Sequence, residues 1–363
     1  MKRFAKWLGS ALLIVLVVIA ALVALDSMDK QEPTSHLKQD KLPIIKDGWS
    51  GNPVDQRGRF INDEFPYMPR LVDILKWKVV EGNKFKQEKN DDARRVEVRD
   101  PSAFLAGSDD GIMWMGHASF FIRIDGVSIL TDPVFGDPSF LKRFVPVPSP
   151  IDQLKAVDVI LISHDHRDHL DEDSIKSLVA KFPKAVIIAG LRSEDVLHDW
   201  APSNAIETLG WFQQTRVVSD KVKVSFVPTR HWSRRGLLDT NWRLWGGYVI
   251  EGSTKKIFFG GDSGYGRHYR EVGELFPKID YFLVGIGAYE PRWFMEPNHS
   301  TPQEALNGFH DAGAATLVPM HYGTFDLSDE PPGAPLETLL NEADRRGLRD
   351  RVRPLAIYES ISF

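Results

Sequence analysis

The densest chemistry in this 363-residue chain lies in Ser163-His164-Asp165-His166-Arg167-Asp168-His169-Leu170-Asp171, where His164, His166, Asp168 and His169 place four potential metal ligands in six positions. Imidazoles this crowded repel one another when protonated and are neutral when they bind a metal. A turn at a strand end aims alternate side chains into one pocket, so His164 and His166 can serve one ion while Asp168 and His169 serve a neighbour. A tetrahedral zinc site takes about four ligands, so two ions need donors from elsewhere. Three candidates follow other apolar runs: His231 in Pro228-Thr229-Arg230-His231-Trp232, Asp262 in Gly260-Gly261-Asp262-Ser263-Gly264, and His321 in Met320-His321-Tyr322-Gly323. Cysteine is absent, so disulfides, thiolate sites and a cysteine nucleophile are excluded and any metal must sit on histidine and carboxylate.

These residues need strands to deliver them. The apolar run Val157–Ile162 suits a strand buried on both faces. Beyond the histidines, Asp171 caps a helix whose Ile175, Leu178, Val179 and Phe182 fall at i, i+3, i+4 and i+7 before Pro183. Ile112–Met115, Phe120–Ile124 and Val127–Leu130 read as a meander turning at Gly126. Val186–Ile188, Val222–Val227, Gly247–Ile250, Ile257–Phe259 and Tyr281–Val284 read as further strands. Thr301-Pro302-Gln303-Glu304 is a capping box, and the helix it opens should end at Gly313. Leu317–Pro319 and Leu355–Tyr358 complete a two-sheet core with helices outside, an α/β sandwich.

With 42% hydrophobic and 26% charged residues the chain can bury a full core, which excludes wholesale disorder. Its 45 basic and 50 acidic residues leave a net charge of −5, so no broad cationic surface exists to track nucleic acid. There is no Gly-x-Ser-x-Gly elbow and no phosphate-binding glycine loop.

Lys2, Arg3 and Lys6 precede an uncharged run of 19 residues from Trp7 to Leu25. A spanning helix needs roughly 17–25 residues, whereas the apolar region of a cleaved signal peptide is about 7–15 long and ends in a small-x-small site. Leu22-Val23-Ala24 is a poor cleavage site. Residues 1–25 are therefore expected to form a transmembrane anchor, with a signal peptide as the alternative. The basic residues put the short end in the cytoplasm and the rest outside, on the periplasmic side in a Gram-negative source. Residues 26–46, with Pro33 and Pro43, read as a tether. Residues 47–107 read as an extension wrapping the core, and 108–363 as the catalytic domain. Nothing in the chain specifies an oligomeric state.

The ordered set, HxHxDH followed by a separate histidine, an aspartate and a final histidine, resembles the metallo-β-lactamase superfamily over roughly residues 108–325. That resemblance implies a four-layer αββα sandwich. Within the superfamily the chain is most similar to the N-acyl-phosphatidylethanolamine-hydrolysing phospholipase D group. The motifs are Met115-Gly116-His117-Ala118, Leu130-Thr131-Asp132-Pro133, His231-Trp232 with Leu244-Trp245-Gly246, Gly287-Ala288-Tyr289-Glu290-Pro291-Arg292-Trp293-Phe294-Met295, and His321-Tyr322-Gly323-Thr324-Phe325.

The resemblance implies two zinc ions, one on His164, His166 and His231, the other on Asp168, His169 and His321, bridged by Asp262. Two adjacent divalent ions repel unless an anion lies between them; such a pair lowers the pKa of a bound water toward ~7 and clamps phosphoryl oxygens. Asp168 is counted among the catalytic residues with His299, which would assist the phosphate or protonate the leaving oxygen. Asp132 would accept a hydrogen bond from a ligand histidine, and His117 would line the cleft. Arg292, Trp293 and Phe294 would form a wall for acyl chains with a cation near phosphate. His36, His198, His268 and His310 receive no role. The expected substrate is N-acyl-phosphatidylethanolamine or a related phospholipid. Hydrolysis of a lactone, amide or β-lactam on the same site is the first alternative, and a non-catalytic, metal-stabilised envelope protein the second.

Overall fold

The computed structural model describes residues 32–62, 64–138, 141–236 and 238–363. Its strands in chain order are β1 (Ser35–Leu37), β2 (Asn52–Val54), β3 (Gly111–Trp114), β4 (Phe120–Ile124), β5 (Val127–Thr131), β6 (Val159–Ile162), β7 (Val186–Gly190), β8 (Ile206–Leu209), β9 (Gln213–Val217), β10 (Val222–Val227), β11 (Gly247–Glu251), β12 (Lys256–Phe259), β13 (Tyr281–Gly285), β14 (Thr316–Met320) and β15 (Ser360–Ser362). Two mixed sheets result, one in the order β15-β3-β4-β5-β6-β7-β8, the other β14-β13-β12-β11-β10-β9. The pairs β5–β6, β6–β7, β7–β8, β12–β13 and β13–β14 are parallel. Parallel neighbours need a crossover, and the helices Glu172–Lys181, Glu194–Trp200, His268–Leu275 and Pro302–Asp311 lie in four of these connections.

The sheets meet face to face over one contiguous apolar core. Phe120 of β4 and Phe259 of β12 stack edge to face at 6.4 Å. The buried Tyr248 of β11 donates across the interface to the carbonyls of Ile162 and Ile188, at 2.8 and 3.0 Å. That bond pins the last residue of β6, directly before the histidine run, to the opposite sheet.

Most expected elements form, and their ends follow local chemistry. Asp171 accepts from the Ser174 amide at 3.0 Å as an N-cap. Thr301 and Glu304 close the capping box, and Gly313 follows that helix with φ +61°. β6 starts two residues later than the apolar run suggests, because Asp158 accepts the Ser128 amide at 2.8 Å at the strand's mouth. Leu355–Tyr358 is not a strand. Tyr358 turns at φ +68° and Ile357 makes only an isolated bridge to Val98, so the closing strand is β15, paired with β3. β8, β9 and the helix Ala334–Arg345 were not expected; β8 carries Glu207 and β9 begins Gln-Gln-Thr-Arg, so neither reads as an apolar run.

Part of the segment expected as a tether is packed: β1 pairs antiparallel with β2, and the Ile45 amide donates to the Phe212 carbonyl at 2.9 Å. Prolines and lysines suggested a free linker, but Leu37, Leu42 and Ile45 pack against the core between them. The proposed anchor, residues 1–25, lies outside the described residues. Among the described residues no helix is long and apolar enough to cross a membrane.

Candidate metal centre

Strand ends deliver the site: His164 opens the histidine run after β6, His231 follows β10, Asp262 β12 and His321 β14, and their supporting Asp132 follows β5. The turns that turn these side chains inward are conformationally demanding. His117, Asp132 and His321 hold φ of +52°, +35° and +61°, a region costly for residues with a Cβ and typical of functional sites. Gly261 sits at φ +56° where a Cβ would lie 2.9 Å from the Gly246 carbonyl oxygen and 3.0 Å from Ser163 Cβ, so glycine is required for Asp262 to be presented here.

Three imidazole nitrogens converge in the first half of the site. His166 Nδ1 is 2.9 Å from His164 Nε2 and 3.1 Å from His231 Nε2. The outward nitrogens have partners. Ser163 Oγ is 2.9 Å from His164 Nδ1 and donates to Asp132 Oδ2 at 2.5 Å, so the hydroxyl accepts the His164 Nδ1 proton; the Asn298 carbonyl lies 3.1 Å from His231 Nδ1. The hydrogen-bond network thus assigns bare, lone-pair-bearing Nε2 atoms to both rings. Metal–nitrogen bonds of about 2.0–2.1 Å at tetrahedral angles separate ligand atoms by ~3.3 Å, close to the spacing found.

The second half gathers His117, Asp168, His169 and His321. Asp168 Oδ2 is 3.0, 3.5 and 3.6 Å from the Nε2 atoms of His117, His169 and His321. His169 Nδ1 is 2.7 Å from Asp132 Oδ2, which again turns Nε2 inward. Asp262 Oδ2 stands between the halves, 3.1 Å from His169 Nε2 and His321 Nε2, 3.8 Å from His231 Nε2 and 3.9 Å from His164 Nε2.

The electrostatics show where positive charge is missing. Burial, reinforced by neighbouring imidazoles, holds His164 and His231 well below the ordinary histidine range. Burial opposes protonation of His169 and His321 too, but Asp262 and Asp168 prevail, holding His169 well above its usual value and His321 at about 9. Burial would raise both carboxylates, yet His169 and its neighbours hold Asp168 and Asp262 well below theirs. Protons on His169 and His321 are thus substitutes for a cation that both carboxylates demand. His166 Nε2, His169 Nε2, Asp262 Oδ1 and both His321 ring nitrogens are buried with no hydrogen-bond partner, a condition that costs free energy unless something else satisfies them. Bare imidazoles, buried carboxylates and orphaned atoms fit divalent metal, and all seven expected ligands are brought together.

Of the supporting residues, Asp132 touches His169 and Ser163 as expected. His117 lies against Asp168, with its ring 4.0 Å from that of His321, and burial pushes its pKa down to about 3. His299 Nδ1 is 3.9 Å from Asp262 Oδ2, and burial lowers its pKa to about 4. Arg292 departs from expectation. Its guanidinium grips Glu304 at 2.6 and 2.7 Å and the His299 carbonyl at 2.8 Å, so it positions His299 rather than offering a charge to phosphate. The anionic Glu304, three residues into its helix, outcompetes solvent for that cation. Phe294 packs on Trp77 of the extension at 5.1 Å, and Trp293 is partly exposed beside it.

Sequence reasoning missed the clamp on the histidine run. The buried Asp165 points away from the ligands, accepting from the Arg234 amide at 2.7 Å and Arg243 Nη1 at 3.1 Å, and Arg243 also holds Asp239 at 2.7 Å. Its one signal was a carboxylate alternating with histidines. Glu330, buried, accepts the amides of Ala288 and Glu290 at 2.6 and 3.1 Å and fixes the loop that carries Arg292; no local motif marks it.

Comparison with known proteins agrees with this geometry. A family model described as Beta-lactamase superfamily domain matches residues 128–322. An uncharacterised protein of Mycobacterium tuberculosis is 38% identical over 244 residues, 64% of each chain, so the match spans less than two thirds of that relative. The N-acyl-phosphatidylethanolamine-hydrolyzing phospholipase D 1 of Caenorhabditis elegans is 33% identical over 237 residues, 61% of this chain and 66% of that protein. A metallo hydrolase structure from the archaeon Ignicoccus hospitalis superposes with a TM-score of 0.54 at 20% identity, covering 70% of this chain and 98% of that one, a likeness of fold.

Proposed function

The chain belongs to the beta-lactamase superfamily, and from that premise we propose that it is a metal-dependent hydrolase: a two-zinc phosphodiesterase of the phospholipase D type acting on N-acyl-phosphatidylethanolamine or a related phospholipid. The observation that carries the reading is Asp262 Oδ2 lying 3.1–3.9 Å from imidazoles of both halves, so that this one carboxylate would help to hold both ions. The named phospholipase D relative supports the substrate class. His164, His166 and His231 would hold one ion, Asp168, His169 and His321 the other.

When bound, such a pair of ions activates water and polarises a phosphoryl oxygen. The chain's own residues do the rest. Asp132 and Ser163 hold two ligand imidazoles with their Nε2 lone pairs inward. His299, kept neutral by burial, serves as an N–H donor that orients a phosphate oxygen rather than as an imidazolium acid. Arg292 and Glu304 fix the backbone of His299, and Trp293 and Phe294, the latter backed by the buried Trp77, would offer apolar surface to acyl chains. In the cell, residues 1–25 would anchor the protein with this domain outside the cytoplasm.

Turnover of N-acyl-phosphatidylethanolamine in 18O-labelled water tests the reaction. Label in the phosphate of phosphatidic acid is expected. Label in a free fatty acid means acyl-ester cleavage, and inert phospholipids with turnover of a lactone or β-lactam would leave only the superfamily assignment standing.

A further inference from the structure

Ser263, directly after Asp262, is buried and ties together three loops of the site. Its Oγ accepts the amide of Arg230, the residue before His231, at 2.9 Å. Its carbonyl accepts the hydroxyl of Ser300, the residue after His299, also at 2.9 Å. Behind the serine stands the buried His268, whose Nε2 is 3.0 Å from Ser263 Oγ and whose Nδ1 has no hydrogen-bond partner. Glu64 Oε2 lies 3.7 Å from that Nδ1. Glu64 belongs to the extension, outside residues 128–322 where the family model matches.

We propose that Glu64, His268 and Ser263 form a positioning relay for the metal centre: Ser263 fixes the loops that carry His231, Asp262 and His299, and Glu64 sets, through His268, which way the serine hydroxyl points. The chain is shaped to place Glu64. Asn62 Oδ1 accepts the amides of Glu64 and Phe65 at 3.0 and 2.9 Å and turns the backbone there, while Asn62 Nδ2 donates to the Thr229 carbonyl at 2.7 Å, two residues before His231. Glu64 Oε1 then accepts the Arg267 amide at 2.7 Å. A cap on the helix His268–Leu275 needs no more than that bond. Yet a Cβ on Gly266 would sit 2.7 Å from both Glu64 oxygens, so the backbone leaves room for a carboxylate seated beside His268. A carboxylate only accepts; 3.7 Å is too long for a bond but close enough for its charge to favour the proton on Nδ1. The hydrogen-bond network therefore assigns a bare Nε2, which accepts from Ser263 Oγ while that oxygen's lone pairs receive the Arg230 amide. Without the charge of Glu64 the hydroxyl turns to the Gly264 carbonyl, 2.7 Å away, and His268 no longer directs it. The inference rests on the metal reading and needs no particular substrate.

The test uses the full chain and reads metal rather than turnover. Zinc affinities from chelator competition, and the visible spectrum of the cobalt-substituted protein, are compared in wild type, Ser263→Ala, Ser263→Thr and Glu64→Gln. Ser225→Ala is the control for lost stability, because it removes another buried hydroxyl, in β10, that accepts from Gln214 Nε2 at 2.9 Å. Ser263→Ala should weaken zinc by about tenfold or more and change the cobalt spectrum. Ser263→Thr, which keeps Oγ, should recover most of both, and Ser225→Ala should alter neither. In Glu64→Gln the side-chain NH₂ faces His268, so nitrogen NMR should show its proton moved from Nδ1 to Nε2, with zinc weakened less than in Ser263→Ala. The His268 signal is identified by its loss in His268→Gln. Zinc affinity and a cobalt spectrum unchanged in Ser263→Ala overturn the proposal and leave the metal reading intact. So do a threonine variant no better than alanine, an equal loss in Ser225→Ala, or an unmoved His268 proton in Glu64→Gln. A wild-type chain that takes up no zinc overturns both.

Discussion

Asp132→Asn isolates the relay behind the ligands with almost no change of shape. Asp132 is fully buried; its Oδ1 accepts the Ser163 amide at 2.7 Å, and its Oδ2 accepts both Ser163 Oγ, at 2.5 Å, and His169 Nδ1, at 2.7 Å. An asparagine that keeps its oxygen on the Ser163 amide turns its NH₂ toward His169 and Ser163. His169 Nδ1 must then accept, which moves its proton to the inward Nε2. Ser163 Oγ, now accepting, donates its own proton to His164 Nδ1 and inverts that ring as well. One atom exchange therefore puts a proton on one ligand nitrogen in each half of the site. Loss of such an outer partner costs about 10–100-fold in metal affinity, or about 1.4–2.7 kcal/mol per ion, and both ions should weaken. Competition with a chromophoric chelator reads the affinities, and nitrogen NMR of the imidazoles reads the tautomers. Ser163→Ala is the discriminating partner: it removes the His164 relay alone and should weaken one ion only. Unchanged affinity for both ions in a folded Asp132→Asn protein, with Nε2 still unprotonated, would refute this account of how the ligands are oriented.

Asp262→Asn should reduce bound metal from two equivalents toward one and abolish most activity, because a neutral amide no longer balances two cations; metal analysis of dialysed protein checks it, and full activity with two retained ions contradicts the bridge. The metal-free protein should lose stability as pH rises from about 6.5 to 9. His321 has a folded pKa raised to about 9, so its contribution is complete below the unfolded value near 6.5 and vanishes as pH passes the folded one, a change on the order of 3 kcal/mol. Saturating zinc, for which Asp168, His169, His321 and Asp262 would be ligands in place of those protons, should flatten that slope. Urea unfolding with and without chelator across this range is the measurement, and parallel curves would mean the protons are not cation substitutes.

Some of this was legible in the chain because it is written in contiguous residues. Val222–Val227, Phe120–Ile124 and the capping box at Thr301 are local matters of periodicity and end chemistry, and they form where expected. The convergence of the candidate ligands was legible for a different reason: HxHxDH is itself local, and each remaining candidate donor follows an apolar run that had to be a strand. β8 and β9 were not legible. Ile206–Leu209 and Gln213–Val217 carry too many polar residues to read as buried strands, and they exist because β7 and β10 supply the ladders they extend.

The residue types by themselves pointed to metal chemistry: no cysteine, seven histidines and carboxylates as candidate ligands, and strands to carry them. Only the tertiary structure decided which nitrogen of each imidazole faces inward, since that depends on Asp132 and the Asn298 carbonyl reaching across from other strands and loops, with Ser163 relaying Asp132 to its neighbour His164. It likewise decided that Arg292 is spent on Glu304, and that Val79 and Val80 face water while Trp77 does not. The physical reason is common to all three. A side chain's type sets what it can bind, but which partner it meets is a competition among groups distant in sequence, and that competition is settled only when two sheets close over one core.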